Sequence, residues 1–291
     1  MGVPDVVSDR VYKPPSSPHG GPLALRRFPI SGLALAALIG LPCASSAIAE
    51  ELATFQAAAP RGQAGSSGID IQGYLAKPKG AGPFPAVILL HSCLGPPSNR
   101  RAIEAALAGS GYVALFVDDF ATRGLKETCG VDFPSALPDA YGALAYLSRL
   151  PYVDPTRIAT VGFSQGADTA LKIASSRFAS AFAIPEGLQF KAAAAFYPPC
   201  SNEEGARLAI PTLILVGASD GVTPAADCER LAKNQSGDVR LVVYPRAGHC
   251  FDDPAFGGGK SVMGMVLRYD PDAAKRSKRD LGAFLAEKLA R

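Results

Sequence analysis

The sequence predicts a single α/β domain: a doubly wound, mostly parallel sheet with helices on both faces. Three observations carry that expectation. Short continuous apolar runs recur along the chain, helix-spaced stretches separate them, and Gly, Pro and Asp punctuate the joins. Strands apolar on both faces need cover on both faces, and a helix between consecutive strands lets them run parallel. With 291 residues, 48% of them hydrophobic and 19% charged, the chain has enough apolar material for a substantial core.

Residues 1–49 are expected to stand outside that fold. Residues 1–22 are rich in Pro and Gly without a hydrophobic period, the composition of a disordered extension. Arg26 and Arg27 then precede an apolar run from Ile30 to Leu41, and Ala47-Ile48-Ala49 makes a small-residue cleavage signal before Glu50. Together these read as a secretory signal peptide. The run falls short of the ~20 apolar residues that a membrane-spanning helix needs. The cleaved protein is therefore expected to be exported, periplasmic or secreted, without stable membrane insertion. The export route, general secretory or twin-arginine, stays open. Residues 50–68, small and polar, read as a linker, and 69–291 as the domain.

Within the domain, "IDIQGYLA" (69–76) alternates like a half-exposed strand, and "AVILLH" (86–91) is a buried one. "RRAIEAALAGSG" (100–111) has helical spacing and ends in Gly, before the buried strand "YVALFVD" (112–118). A helix over 136–150 follows, then a turn at "DPTR" (154–157), the strand "IATVGF" (158–163) and a helix over 165–178. Segments 192–198, 211–217 and 239–245 supply three more strands, and 224–234 and 273–290 two more helices. In such a sheet, ligands sit beyond the carboxyl ends of the strands, so functional residues should fall just after them.

"VGFSQGAD" (161–168) meets that condition. Ser164 follows a strand at once and a helix follows Ser164, which is the setting of a G-x-S-x-G nucleophile elbow. A hydroxyl there is also a common helix cap, so the partners matter. Asp220 falls just past the run 211–217, and His249 lies in the loop after 239–245. His249 would act as general base on Ser164, with Asp220 orienting the imidazole. Asp252 and Asp253, close to His249, are fallback acids. His91 reads as a structural hydrogen-bonding residue. The oxyanion hole needs two backbone N–H groups, expected from Gln165, next to the nucleophile, and from Cys93, in the loop after 86–91. "PAFGGGKS" (254–261) ends like a phosphate-binding loop, but it starts with Pro and no buried strand leads into it. It reads as a loop near the site mouth.

These stretches resemble the dienelactone hydrolase family of the α/β-hydrolase superfamily, whose chain order is likewise Ser, Asp, His. The resemblance lies in "LLHSCLG" (89–95), "VDDFATRG" (117–124), "VGFSQG" (161–166), "LILVGASDGVTPAADC" (213–228) and "AGHCFDD" (247–253), and spans essentially the whole domain. It implies an esterase or lactonase with the α/β-hydrolase fold, the triad Ser164, Asp220 and His249, and no metal or organic cofactor. It also makes Arg123 a candidate for orienting an anionic substrate, against the alternative of a structural salt bridge. The best-known members carry a cysteine at the elbow where this chain has Ser164. That departure favours general esters over dienelactone chemistry.

Export would place the cysteines in an oxidising compartment, where some should pair. Cys93 follows the strand 86–91 and Cys129 lies in the loop after the next, while Cys200 follows the strand 192–198 and Cys228 opens the helix after 211–217. Pairing neighbours gives Cys93–Cys129 and Cys200–Cys228, one of three connectivities, and leaves Cys250 free.

The leading expectation is thus a serine hydrolase of small carboxylic esters or lactones, working through an acyl-enzyme as a monomer or small homo-oligomer. A prolyl-oligopeptidase-like peptidase is one alternative, although the chain has no room for the large extra domain such enzymes carry. A non-catalytic binding protein on a hydrolase fold is another, although no triad member is missing. Net charge is +3, and the one basic cluster, "KRSKRD" (275–280), lacks interleaved aromatics. Nucleic acid is therefore not expected as a partner.

Overall fold

The apolar runs pair as strands in the computed structural model, which describes residues 50–63, 68–131, 136–175 and 177–291. The strands are β1 (Glu50–Gln56), β2 (Asp70–Ala76), β3 (Phe84–Leu90), β4 (Val113–Asp118), β5 (Val153–Phe163), β6 (Ala192–Phe196), β7 (Thr212–Gly217) and β8 (Val239–Tyr244). They form one sheet in the order β1-β2-β4-β3-β5-β6-β7-β8. β1, β2 and β4 meet antiparallel, and every pairing from β4 through β3 to β8 is parallel. A separate hairpin, β9 (Lys260–Val262) and β10 (Met265–Leu267), follows β8.

The helices are α1 (Arg100–Gly109), α2 (Leu137–Leu147), α3 (Gln165–Ala174), α4 (Ala225–Lys233) and α5 (Pro271–Lys288). Strand alternation sorts them into two layers. Val87 and Leu89 of β3 pack with Leu107 of α1 and with Phe284 and Leu285 of α5. Ala86 and Ile88 point the other way, toward Leu144 and Leu147 of α2. On that second face, Ala193 and Ala195 of β6 pack with Ala167 and Leu171 of α3 and Leu231 of α4. Fully burying one such Leu or Ile stabilises by roughly 1.5–3 kcal/mol. Among the described residues, no helix is long and apolar enough to cross a membrane.

The chain reaches β4 on one side of β3 and β5 on the other. This reversal opens a crevice at the carboxyl ends of β3 and β5. The loops leaving those two strands carry Cys93 and Ser164.

Three expectations need correction, and one lies out of view. Residues 50–68 were expected to form a linker, but Glu50–Gln56 is the edge strand β1, in register with β2 from Glu50↔Ala76 to Gln56↔Asp70. Its backbone bonds need no particular side chains, and only Ala53 and Phe55 are buried against the core, too thin a signal to read as alternation. The turn expected at 154–157 is a bulge inside β5, where the register with β3 jumps from Val153 to Ile158. The loop expected at 254–261 ends in β9, which joins β10 through Met263 and Gly264, both at positive φ (51° and 80°), the geometry of a two-residue hairpin turn. The extension and signal peptide expected over 1–49, and part of the expected linker, lie outside the described residues.

Candidate active site

Ser164 sits between the last residue of β5 and the first of α3, at φ 51° and ψ −110°. A non-glycine residue in that region is strained by about 1–3 kcal/mol, and its surroundings hold it there. Its N–H donates to the Phe196 carbonyl (3.0 Å), and its own carbonyl accepts from Ala167 (2.9 Å) and Asp168 (3.0 Å). The flanking glycines are required by space. A Cβ on Gly162 would fall 2.0 Å from the Gly166 oxygen, and one on Gly166 would fall 2.3 Å from the Leu90 oxygen. The Ser164 hydroxyl does not cap α3. It lies 3.0 Å from His249 Nε2.

His249 follows β8 and is 2% exposed. Its carbonyl accepts from the Arg268 amide at 3.2 Å, so the hairpin strand β10 braces its loop. Its Nδ1 lies 2.8 Å from Asp220 Oδ2. Asp220, in the loop after β7, accepts at Oδ1 from the amides of Val222 and Thr223, each at 2.8 Å. Burial alone would raise the Asp220 carboxyl. The His249 hydrogen bond and charge, with those two amides, outweigh burial and hold it below the usual carboxylate range. Asp220 is therefore a fixed anion that keeps one imidazole orientation.

Two residues that sequence reasoning passed over complete this frame. The Thr223 hydroxyl lies 3.0 Å from Asp220 Oδ2 and 3.1 Å from the Tyr197 carbonyl. Tyr197, one residue past β6 and at φ 42°, sets its ring 4.7 Å from the His249 ring, centroid to centroid. Its hydroxyl donates to Asp252 Oδ1 at 2.8 Å. The rule that functional residues follow strands could have singled out Tyr197. The fallback acids are engaged elsewhere, Asp252 with Tyr197 and Asp253 with the Ala255 amide.

The loop after β3 is fixed from two sides. Cys93 is disulfide-bonded to Cys129 across 4.9 Å between Cα atoms, and its carbonyl accepts from the Thr128 amide at 2.8 Å. The Thr128 hydroxyl donates to Gln165 Oε1 at 3.1 Å. One threonine thus ties together the two residues expected to supply oxyanion donors. Cys200 and Cys228 form the second disulfide, and Cys250 is free and buried. Burial, then the negative charges of Asp252 and Asp253, push its thiol up, so it stays protonated.

His91 and Arg123 lie in a buried charge network behind this loop. His91 Nδ1 donates to the Ser92 carbonyl (2.7 Å), and Nε2 meets Asp119 Oδ1 at 2.7 Å. Burial would lower the imidazole, but Asp119 outweighs it and raises it. Arg123 grips Asp139 with both terminal nitrogens, at 3.0 and 2.9 Å, and also donates to the Asp119 carbonyl. Burial raises Asp139 to about 6 even so. Both terminal nitrogens of the guanidinium thus face this carboxylate, the arrangement of a salt bridge. Among the described residues, no group of three or more His, Cys, Asp or Glu side chains gathers to hold a metal ion.

An uncharacterized protein of Mycobacterium tuberculosis is 30% identical over 221 residues, covering 71% of this chain and 77% of its own. A dienelactone hydrolase structure from Anabaena variabilis superposes with a TM-score of 0.59 at 21% identity, covering 84% of this chain and 99% of its own. Esterase 2 of Thermogutta terrifontis, phosphorylated by paraoxon, superposes at 0.56 with 21% identity, covering 77% and 92%. Those two likenesses show the shared fold. The family model described as the dienelactone hydrolase family matches residues 71–289, from β2 to the C-terminal end of α5. A match that takes in the elbow, both partner loops and every strand from β2 onward makes this chain a member of the dienelactone hydrolase family.

Proposed function

We propose that this protein is a serine hydrolase that cleaves small carboxylic esters or lactones through an acyl-enzyme. The observation that carries the reading is the unbroken chain from Ser164 Oγ through His249 to Asp220, at 3.0 and 2.8 Å. In this reading, His249 Nε2 takes the hydroxyl proton as Oγ attacks the ester carbonyl. The tetrahedral oxyanion accepts from the Gln165 and Cys93 amides, at the N-terminus of α3, where the helix dipole favours negative charge. His249 then returns the proton to the departing alkoxide, and water repeats the sequence to free the acid. Asp220 stays ionised throughout and stabilises the imidazolium.

Family membership supports ester hydrolysis, and the relative phosphorylated by paraoxon supports a nucleophile open to organophosphates. The two disulfides are consistent with export to a periplasmic or extracellular setting. The test is labelling by a fluorophosphonate probe together with turnover of p-nitrophenyl acetate, in the native protein and in Ser164→Ala. Both signals should vanish in the variant. Equal labelling and turnover in the two proteins would overturn the assignment of Ser164.

A further inference from the structure

A cleft is lined by the chain neighbours of the Ser164–His249 pair, Phe163 before Ser164 and Cys250 after His249, with Ser92 and Gly95 of the loop after β3 and with Phe256; Ser164 and His249 themselves are not in its wall. Its volume is about 200 Å³. An engineered cavity of ~150 Å³ holds benzene, so a phenyl ring or short alkyl chain fits here. The wall is mainly apolar, and among the described residues those forming it include no Lys, Arg or His. Asp252 and Asp253 are the acids in it. The Tyr197 hydroxyl and the Cys250 thiol, also in the wall, are kept neutral by burial. Lys278 of α5 is the cation that acts on Asp252, and it is not part of the wall. Arg123 is occupied by Asp139.

A carboxylate entering this cleft would leave water and face two acids with no cation in the wall to compensate it, which is costly. An uncharged group meets the apolar wall without that cost.

We propose that this cleft takes an uncharged ester group of phenyl or short-alkyl size and rejects carboxylate-bearing esters and lactones, with Asp252 and Asp253 as the specificity-determining residues. The proposal deepens, and rests on, the serine-hydrolase reading of Ser164. It sets this chain's substrates apart from anionic lactones.

The test compares kcat/KM within two near-isosteric pairs. One pair carries the charge on the acyl group: 4-nitrophenyl 4-methylpentanoate against 4-nitrophenyl hemisuccinate. The other carries it on the alcohol: 4-carbamoylphenyl acetate against 4-carboxyphenyl acetate. The native protein should prefer the neutral ester by at least ~10-fold in one pair or both, the size expected for like charges at close range near a protein surface. That ratio should fall at least ~3-fold in Asp252→Asn and in Asp253→Asn, as one charge is removed. The ratio is internal to each protein, so a general loss of activity does not move it. Asp253→Asn also leaves the Tyr197–Asp252 bond untouched, so a folding defect in the other variant does not remove the test. Equal turnover of neutral and anionic esters in both pairs, or a ratio unmoved in both variants, would overturn the proposal. Failure of the Ser164 reading has a different signature, labelling and turnover that survive Ser164→Ala.

Discussion

The Thr128 hydroxyl donates to the Gln165 side chain at 3.1 Å while the Thr128 amide donates to the Cys93 carbonyl at 2.8 Å. The loop after β3 and the N-terminus of α3 are otherwise far apart in sequence. In the proposed reading, their relative position decides whether the Gln165 and Cys93 N–H groups converge on one oxyanion. Thr128 is buried, so the bond is not shared with bulk water.

Thr128→Val keeps the shape and the amide bond and removes only the hydroxyl. Losing an oxyanion donor outright costs about 10²–10³ in kcat. Loosening its support should cost less, roughly 10-fold in kcat with KM little changed. Steady-state kinetics on a p-nitrophenyl ester reads this directly. An unchanged kcat would show that the bridge has no part in catalysis.

The disulfides should separate into two effects. Each closes a loop, with sequence separations of 36 for Cys93–Cys129 and 28 for Cys200–Cys228, and chain entropy predicts ~3–4 kcal/mol of stability from either. Cys200→Ser/Cys228→Ser should therefore lower the denaturation midpoint and leave kcat near the native value under folding conditions. Cys93→Ser/Cys129→Ser should lose comparable stability and kcat as well, because Cys93 is one of the two proposed oxyanion donors. Thiol titration of denatured, unreduced 50–291 should find only Cys250; five thiols would refute both bridges.

What the sequence made legible follows from how local each signal is. Ser164 and Asp220 sit just past runs of buried strand residues and His249 in the loop after β8, so the sheet's geometry brings them to one edge without any knowledge of packing. Thr223, Tyr197 and Thr128 act through contacts made only when distant loops meet. Nothing in "GVTP" or "KETC" announces such a contact. β1 escaped for a different reason. An antiparallel edge strand is held by its backbone, and with only Ala53 and Phe55 turned inward its composition is that of a linker. Arg123 was legible as a charge in the right region, but its partner Asp139 lies in α2 and could not be assigned by spacing.

Asp252 should make the protein's stability fall as pH rises through the range in which it ionises. Burial lifts its carboxyl from an ordinary 3.8 to about 6 despite the Tyr197 hydrogen bond. Between those values the folded state holds a proton that the unfolded chain releases, so the contribution of this group declines from pH 4 to pH 6 and is flat above. Two pKa units correspond to at most ~3 kcal/mol. Asp252→Asn, which can still accept from Tyr197, removes the dependence. Urea denaturation should therefore show the variant faring better, relative to native, at pH 8 than at pH 4. The same difference at both pH values would mean that Asp252 titrates normally in the fold.

Arg123 offers the sharpest choice between a structural and a substrate role. Its guanidinium meets both oxygens of Asp139, which has no exposed side-chain surface. Taking the cation away leaves a buried carboxylate uncompensated, a loss of about 3–5 kcal/mol for a pair of this kind. Arg123→Gln should therefore depress the melting temperature strongly at pH 8. Asp139, already raised to about 6 by burial with the arginine in place, would rise further without it and take up a proton. In the variant that carboxyl takes up its proton at a pH above the native value of about 6, so the penalty relative to native should shrink as pH falls from 8 toward 6 and stay level below 6, where native Asp139 is protonated as well. The neutral-to-anionic ester ratio should stay at its native value, because the arginine faces Asp139 rather than the cleft. If Arg123→Gln instead kept its melting temperature and lost turnover of anionic esters alone, the guanidinium would be a substrate ligand. The bidentate pair with Asp139 would then be a resting contact that substrate displaces.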